Sequence, residues 1–128
     1  MYYFQFCHAF LEKKINLETF STSINFCDQI PTLLSVFSET EIYVYDIISK
    51  TIHTKYPKVT DKISFGTIRA DGKVLLTGTE IGKIILHDVV NKNCLRKYNA
   101  HSLEVSSIDV NESLIAFIST SKDCSFKV

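Results

Sequence analysis

Hydrophobic and polar residues alternate over short stretches along most of this chain. Runs rich in Val, Ile, Phe, Tyr and Thr are separated by turn residues such as Asp71-Gly72 and Ile81-Gly82. β-Branched and aromatic residues favour strands, and Asp-Gly is a strong hairpin signal. Helical spacing is not sustained anywhere, so the sequence predicts consecutive antiparallel strands.

The strand pattern recurs with a period of forty-two residues. Residues 46–56 superimpose without a gap on residues 88–98, sharing Asp, Lys, Lys and Tyr at equivalent positions. The match extends to other segments, namely 42–45 over 84–87, 31–35 over 73–77, 117–119 over 75–77 and 126–128 over 84–86. The chain therefore contains two whole repeating units and most of a third.

A period in the low forties, with about four strands per unit and an Asp closing the third strand, is typical of a WD-repeat β-propeller. The closing acids are Asp46 and Asp88, and Tyr45 and His87 replace the usual Trp before them. We therefore predict an all-β fold: a partial WD40 β-propeller with two complete four-stranded blades and most of a third, not closed by this chain alone.

The repeat also sets the expected organisation of the chain. The predicted segments are an N-terminal outer strand of a closing blade over 1–19, blade one over 20–57, blade two over 58–99 and an incomplete blade three over 100–128. A single blade cannot cover its own two faces. We therefore expect a fragment, a shortened gene product, or a partner that supplies the rest of the propeller.

A polar network is predicted in the third unit. His101 occupies the place where such repeats carry a Gly-His pair ahead of the first strand. In this pattern His101, Ser119 and Asp123 share hydrogen bonds that pin the turn before the third strand. The same residue types form nucleophilic triads in enzymes, but the repeat explains all three as structural.

Composition narrows the function further. The 128 residues allow one compact domain, and a hydrophobic share of 45% is typical of a folded chain. Fourteen basic and fourteen acidic residues give no net charge that would attract nucleic acid or an anionic membrane. The aromatic N-terminus lacks a basic region and a cleavage site, so we expect a soluble intracellular protein without a signal peptide.

The sequence contains no enzymatic or metal-binding pattern. The four cysteines form no C-x-x-C pair, which argues against a zinc ribbon or a redox pair. Adjacent Cys7 and His8 would point to opposite faces of a strand. We predict no catalysis, cofactor, metal or small-molecule substrate. The alternative that the protein is an enzyme would need an activity that is lost when Cys7 or His8 is replaced by Ala.

Residues 62–78, with the block Arg69-Ala70-Asp71-Gly72-Lys73, and the later Leu95-Arg96 and His101 carry a more specific pattern. This pattern resembles the N-terminal propeller of the U3 small-nucleolar-RNA-associated protein 15 family, which continues into a helical C-terminal domain. The resemblance implies a non-catalytic scaffold of the small-subunit processome. The resemblance thus implies a nuclear, nucleolar protein that acts in pre-ribosomal-RNA processing and ribosomal-DNA transcription. Its expected partners are other processome proteins. The U3 ribonucleoprotein and pre-ribosomal RNA would be bound either directly or through these proteins, and no membrane association is expected.

Two alternatives stay open. One is a WD-repeat protein-interaction adaptor of another complex. The other is direct RNA contact by basic residues that recur one blade apart, namely Lys50, Lys55, Lys58, Lys92, Arg96 and Lys97. We favour the interpretation that these charged side chains keep the exposed edge strands from pairing with other chains.

Overall fold

The computed structural model describes residues 14–111 and 116–128. These residues form eleven strands and no helix. The strands are β1 (Ser21–Phe26), β2 (Leu33–Ser38), β3 (Ile42–Asp46), β4 (Thr51–Lys55), β5 (Ile63–Ile68), β6 (Val74–Thr79), β7 (Lys83–Asp88), β8 (Cys94–Asn99), β9 (Val105–Val110), β10 (Phe117–Ser121) and β11 (Phe126–Lys127).

The strands form three antiparallel sheets that follow chain order. We call them blade one (β1 to β4), blade two (β5 to β8) and blade three (β9 to β11). The predicted all-β class and the unclosed arrangement are confirmed, and the sheets are consistent with a partial propeller. The predicted boundaries at 1–19, 20–57, 58–99 and 100–128 stay a prediction, and residues 1–13 lie outside the described part of the chain.

The strand register corrects one detail of the repeat alignment. Leu33 pairs with Asp46, whereas Val74 pairs with Asp88. Strand β2 is therefore offset from β6 by forty-one residues, while β3 and β7 keep the offset of forty-two. The reason lies in the hairpin turns, because four residues separate the paired residues Phe37 and Ile42, whereas five separate the paired residues Gly78 and Ile84. An ungapped superposition of 31–35 on 73–77 was wrong by one residue, which on a strand exchanges the two faces.

Blade two is buried on both faces because its side chains alternate between two cores. Leu75 of β6 packs into the first core, between blades one and two, and its neighbours Val74 and Leu76 pack into the second core, towards blade three. The first core includes Cys27, Leu33, Phe37, Ile42, Val44, Tyr56, Ile63, Ile68, Leu75 and Val89. The second core includes Val74, Leu76, Ile84, Val105 and Ile108.

Two glycines let neighbouring blades approach closely. A Cβ on Gly66 would lie 2.3 Å from the ring of Phe37, and one on Gly78 would lie 2.5 Å from the side chain of Val105. Ser23 of blade one adds a polar link, since its Oγ accepts the Gly66 N–H at 2.9 Å and donates to the Gly66 carbonyl at 2.8 Å. At each contact between blades, a glycine on one sheet thus faces a larger side chain on the neighbouring sheet.

Candidate functional site

His101 is held in place by its backbone before its side chain makes any contact. It lies in the connection between β8 and β9, and its N–H donates to the Gly82 carbonyl at 3.0 Å. Gly82 has a φ of 86°, and a Cβ there would lie 2.0 Å from the His101 carbonyl oxygen. Glycine is therefore required in the β6–β7 turn, which the sequence had marked as Ile81-Gly82.

The structure brings His101, Ser119 and Asp123 together. The His101 side chain is fully enclosed. Its Nδ1 lies 3.0 Å from Asp123 Oδ2, and its Nε2 lies 2.9 Å from Ser119 Oγ. A carboxylate only accepts hydrogen bonds, so Nδ1–H donates to Asp123 and Nε2 is left to accept the Ser119 hydroxyl.

Asp123 collects several donors in the β10–β11 turn. Its carboxylate accepts the backbone N–H groups of Ser102 and Ser125, at 3.1 and 3.0 Å, and the Ser125 hydroxyl. The Ser125 hydroxyl, then the Ser102 N–H and His101, lower the pKa of Asp123 far below its usual range. Ser125 was missed by sequence reasoning, although a Ser two residues after an Asp in a turn is a recognisable signal.

This arrangement has the connectivity of a hydrolytic triad but lacks access for a substrate. Ser119 is 1% exposed and His101 is 8% exposed. A carbonyl carbon would need to come within about 3 to 3.5 Å of the Ser119 oxygen for attack. The enclosed oxygen instead joins β10 to the connection that precedes β9, which supports a structural role.

Blade two contains a smaller polar pair that the sequence did not predict. Thr77 Oγ1 lies 2.9 Å from His87 Nε2, and both side chains are buried. His87 stands where the repeat usually has Trp, and the ring of Tyr56 meets it edge-on at 5.6 Å. Burial, followed by the charge of Lys97, lowers the pKa of His87 to about 4. The imidazole is therefore neutral near pH 7.

The closing acids Asp46 and Asp88 form the same turn in two blades. Oδ1 of Asp46 accepts the N–H groups two and three residues ahead, at 2.9 and 3.3 Å. Oδ1 of Asp88 does the same at 2.8 and 3.2 Å. Each turn ends with a lysine in the left-handed region, at φ 57° for Lys50 and 61° for Lys92. The geometry supports a turn-forming role for both acids.

The basic residues lie in two rows, along β4 and β8 and the loops beside them. In the first row Lys55 lies 5.4 Å from the centre of the Tyr43 ring, and Lys58 forms an ion pair with Glu18. In the second row Arg96 and Lys97 lie on β8, whose six residues are all exposed. The second row is therefore the better placed for contact with a large partner.

Other candidate chemistry finds no support in the described residues. Residues 14–111 and 116–128 contain no group of three His, Cys, Asp or Glu placed to hold a metal ion. The same ranges contain no helix long and apolar enough to cross a membrane. Cys7 and His8 lie outside the described residues.

Comparison with known proteins gives the chain its relatives. It is 31% identical over 102 residues to the U3 small nucleolar RNA-associated protein 15 homolog of Xenopus tropicalis, which covers 80% of this chain. It is also 31% identical over 84 residues, or 66% of this chain, to U3 small nucleolar RNA-associated protein 15 of Schizosaccharomyces pombe. The chain resembles U3 small nucleolar RNA-associated protein 15. It spans about a fifth of the length of these relatives, at 20% and 17%. No protein-family model matches it.

Proposed function

We propose that this chain is a non-catalytic WD-repeat scaffold of the small-subunit processome, acting in nucleolar pre-ribosomal-RNA processing and ribosomal-DNA transcription. The observation that carries the proposal is its similarity to the U3 small nucleolar RNA-associated protein 15 relatives. The partners would be other processome proteins, with U3 RNA reached through them. The place of action would be the nucleolus.

The structure supports a protein whose function resides in surfaces. Two of the three polar groups that resemble a catalytic set, Ser119 and His101, are buried. Outer strand β8 presents six exposed residues to solvent, including Leu95 and Tyr98. Exposed strands and large apolar side chains are features of proteins that bind other proteins.

A tagged pull-down from native cells tests the proposal. The eluate would be probed for U3 RNA, its proteins identified by mass spectrometry, and the tag alone used as the control. We expect U3 RNA and other processome proteins to be recovered with the chain and not with the tag. Recovery of a consistent protein set without U3 RNA would reject the ribosome assignment and support the adaptor alternative.

Direct RNA contact is the second candidate, favoured by Arg96 and Lys97 on the exposed strand β8. Binding through these side chains would release counterions from the phosphate backbone, so the affinity would fall steeply with salt. Lys58 is engaged with Glu18, which argues against an equal contribution from the first basic row. Binding of purified chain to the 5′ region of pre-ribosomal RNA across a salt series separates this candidate from the scaffold.

A further inference from the structure

Outer strand β8 leaves the sheet of blade two with an open edge. The strand order in this sheet is β5-β6-β7-β8, and in the described part of the chain β8 pairs with β7 alone. The strand has six residues, all of them exposed. An edge strand presents backbone N–H and C=O groups that another strand can pair with. Blade two is the middle blade and both of its faces are covered, so this edge is the surface that it offers to a partner.

The side chains of β8 give this edge a positive charge. Arg96 and Lys97 are neighbours on the strand, and residues 89–99 contain no acidic residue. None of the carboxylates in residues 14–111 and 116–128 forms an ion pair with either side chain. A strand added at this edge would therefore meet two cations that have no counter-charge of their own.

The two cations lie on opposite faces of blade two. Lys97 lines a cleft next to the connection from blade one, together with Ile85 and His87. Arg96 lines a cleft against blade three, together with Tyr98. Successive side chains of a strand alternate between two faces. Two consecutive acidic residues in an added strand would therefore place one carboxylate beside each cation.

The equivalent edge of blade one is less suited to such a partner. Strand β4 has five residues, one fewer than β8. Lys55, the repeat equivalent of Lys97, lies 5.4 Å from the centre of the Tyr43 ring. Lys58, which follows the strand, forms an ion pair with Glu18. These cations of blade one already have partners within the chain, whereas those on β8 do not.

A second copy of the chain is a poor occupant of the β8 edge. If two β8 strands paired antiparallel about an axis between Arg96 and Lys97, each Arg96 would lie opposite a Lys97. Like charges directly opposite each other on a strand pair are destabilising. Residues 1–13 and 112–115, which lie outside the described ranges, contain one acidic residue each, Glu12 and Glu112. Neither segment supplies two consecutive acids, so the charges on β8 favour a different chain.

We propose that β8 is the docking edge for an extended acidic segment of a partner protein, which adds to blade two as a fifth strand. This inference rests on the proposed role as a protein-binding scaffold and names the chemistry of one partner. Backbone hydrogen bonds along residues 95–99 would supply the affinity. Two consecutive Asp or Glu residues opposite Arg96 and Lys97 would supply the selectivity. The contact is separate from those through which U3 RNA would be reached.

Binding of synthetic peptides to the purified 128-residue chain tests the inference. The acidic probe is the peptide Thr-Val-Thr-Glu-Glu-Thr-Val-Thr, whose β-branched residues favour an extended strand. The control peptide has Lys-Lys in place of Glu-Glu. Fluorescence anisotropy should give a dissociation constant at least about tenfold lower for the acidic peptide, because opposite charges across a strand pair attract and like charges repel. Equal affinities would overturn the proposal.

Charge reversal in the chain provides the matched variants. Arg96→Glu combined with Lys97→Glu should invert the preference, so that the lysine peptide binds more tightly than the acidic one. Lys50→Glu combined with Lys55→Glu makes the same change of charge on blade one and should keep the natural preference. Circular dichroism confirms that each variant is folded. A folded β8 variant that still prefers the acidic peptide would contradict docking at this edge.

Hydrogen exchange distinguishes strand addition from attraction of charge alone. With the acidic peptide bound to the natural chain, NMR should show slowed exchange at alternate residues of β8, because one N–H in two points away from β7. Absent or uniform protection would reject a fifth strand. Oligouridine is the RNA probe, and its tighter binding would reject the proposal in favour of direct RNA contact. The pull-down for U3 RNA does not involve these peptides, so the proposed function and this inference can fail independently.

Discussion

Partners on both sides fix the imidazole of His101 in one tautomer. Asp123 accepts from Nδ1 and Ser119 donates to Nε2, at 3.0 and 2.9 Å. Removing the ring would leave the buried Ser119 hydroxyl without this partner, whereas Asp123 Oδ2 would keep the Ser102 N–H. The penalty for a buried group left without its partner is about 1 to 3 kcal/mol.

His101→Ala should therefore lower the free energy of unfolding by about 1 to 3 kcal/mol. Urea denaturation monitored by circular dichroism measures the change. His53→Ala is the matched control, because His53 lies exposed on β4. Equal midpoints for the two variants would contradict a stabilising network.

His87 predicts how stability depends on pH. Its pKa is about 4 in the folded protein and near 6.5 for an unperturbed histidine. The unfolded chain therefore binds a proton between these values that the folded chain does not. Stability is full above about pH 6.5 and falls as the pH drops towards 4, by up to about 3 kcal/mol at 1.36 kcal/mol per unit. Denaturation series at pH 7.5 and 4.5 measure the loss.

His87→Gln separates this effect from that of other titrating groups. A glutamine amide can still hydrogen-bond the Thr77 hydroxyl but does not titrate. The variant should lose less stability than the natural chain between these two pH values. An identical pH dependence in both proteins would show that His87 does not cause it.

At the scale of elements, blade packing depends on pairs of large and small residues. Gly66 faces the Phe37 ring at a distance that excludes a Cβ. Gly66→Ala should destabilise the chain by about 1 to 3 kcal/mol, since crowding a packed core forces side chains or backbone to move. Thermal unfolding measures it. Gly66→Ala combined with Phe37→Leu should lose less than the sum of the two single changes, because the residues are in contact.

Additive losses in that double variant would contradict a steric cause. Ser107→Ala provides a control at an exposed strand position.

The sequence predicted the strands and the repeat because both depend on local patterns. Asp46 and Asp88 close equivalent strands and form equivalent turns, as the period implied. The one-residue shift of β2 was not predictable from residues 31–35, because apolar side chains occupy both alignments and only the loop length decides the register. The Thr77 to His87 contact depends on the register between β6 and β7, which the local sequence does not specify either.

The site was partly predictable for the same reason. His101, Ser119 and Asp123 fall at fixed places of the repeat, and the structure places them within hydrogen-bonding distance. The burial of His101 and Ser119, which argues against catalysis, leaves no mark in the local sequence. The pairing of Lys58 with Glu18 joins residues forty positions apart and carried no sequence signal either.

For the whole molecule, the balance of charge bears on whether the chain would bind RNA directly. Fourteen basic residues offset fourteen acidic ones, so no net field draws RNA to the protein. If U3 RNA is recovered through other proteins, as we propose, the second basic row is dispensable. Replacing Lys92, Arg96 and Lys97 with Gln should then leave the amount of U3 RNA recovered in the pull-down unchanged within about twofold. Loss of phosphate contacts would instead lower the recovered RNA many fold.

The first basic row supplies the matched comparison, with Lys50, Lys55 and Lys58 changed to Gln. Both triple variants remove three positive charges from β4 or β8 and the loops beside them, so a difference between them would come from position and not from net charge. Loss of U3 RNA from the second-row variant alone, with its protein partners retained, would mean that β8 touches RNA directly. Phosphate contacts weaken as salt rises. If β8 touches RNA directly, U3 RNA bound to the natural chain should therefore elute in a salt gradient before the protein partners do.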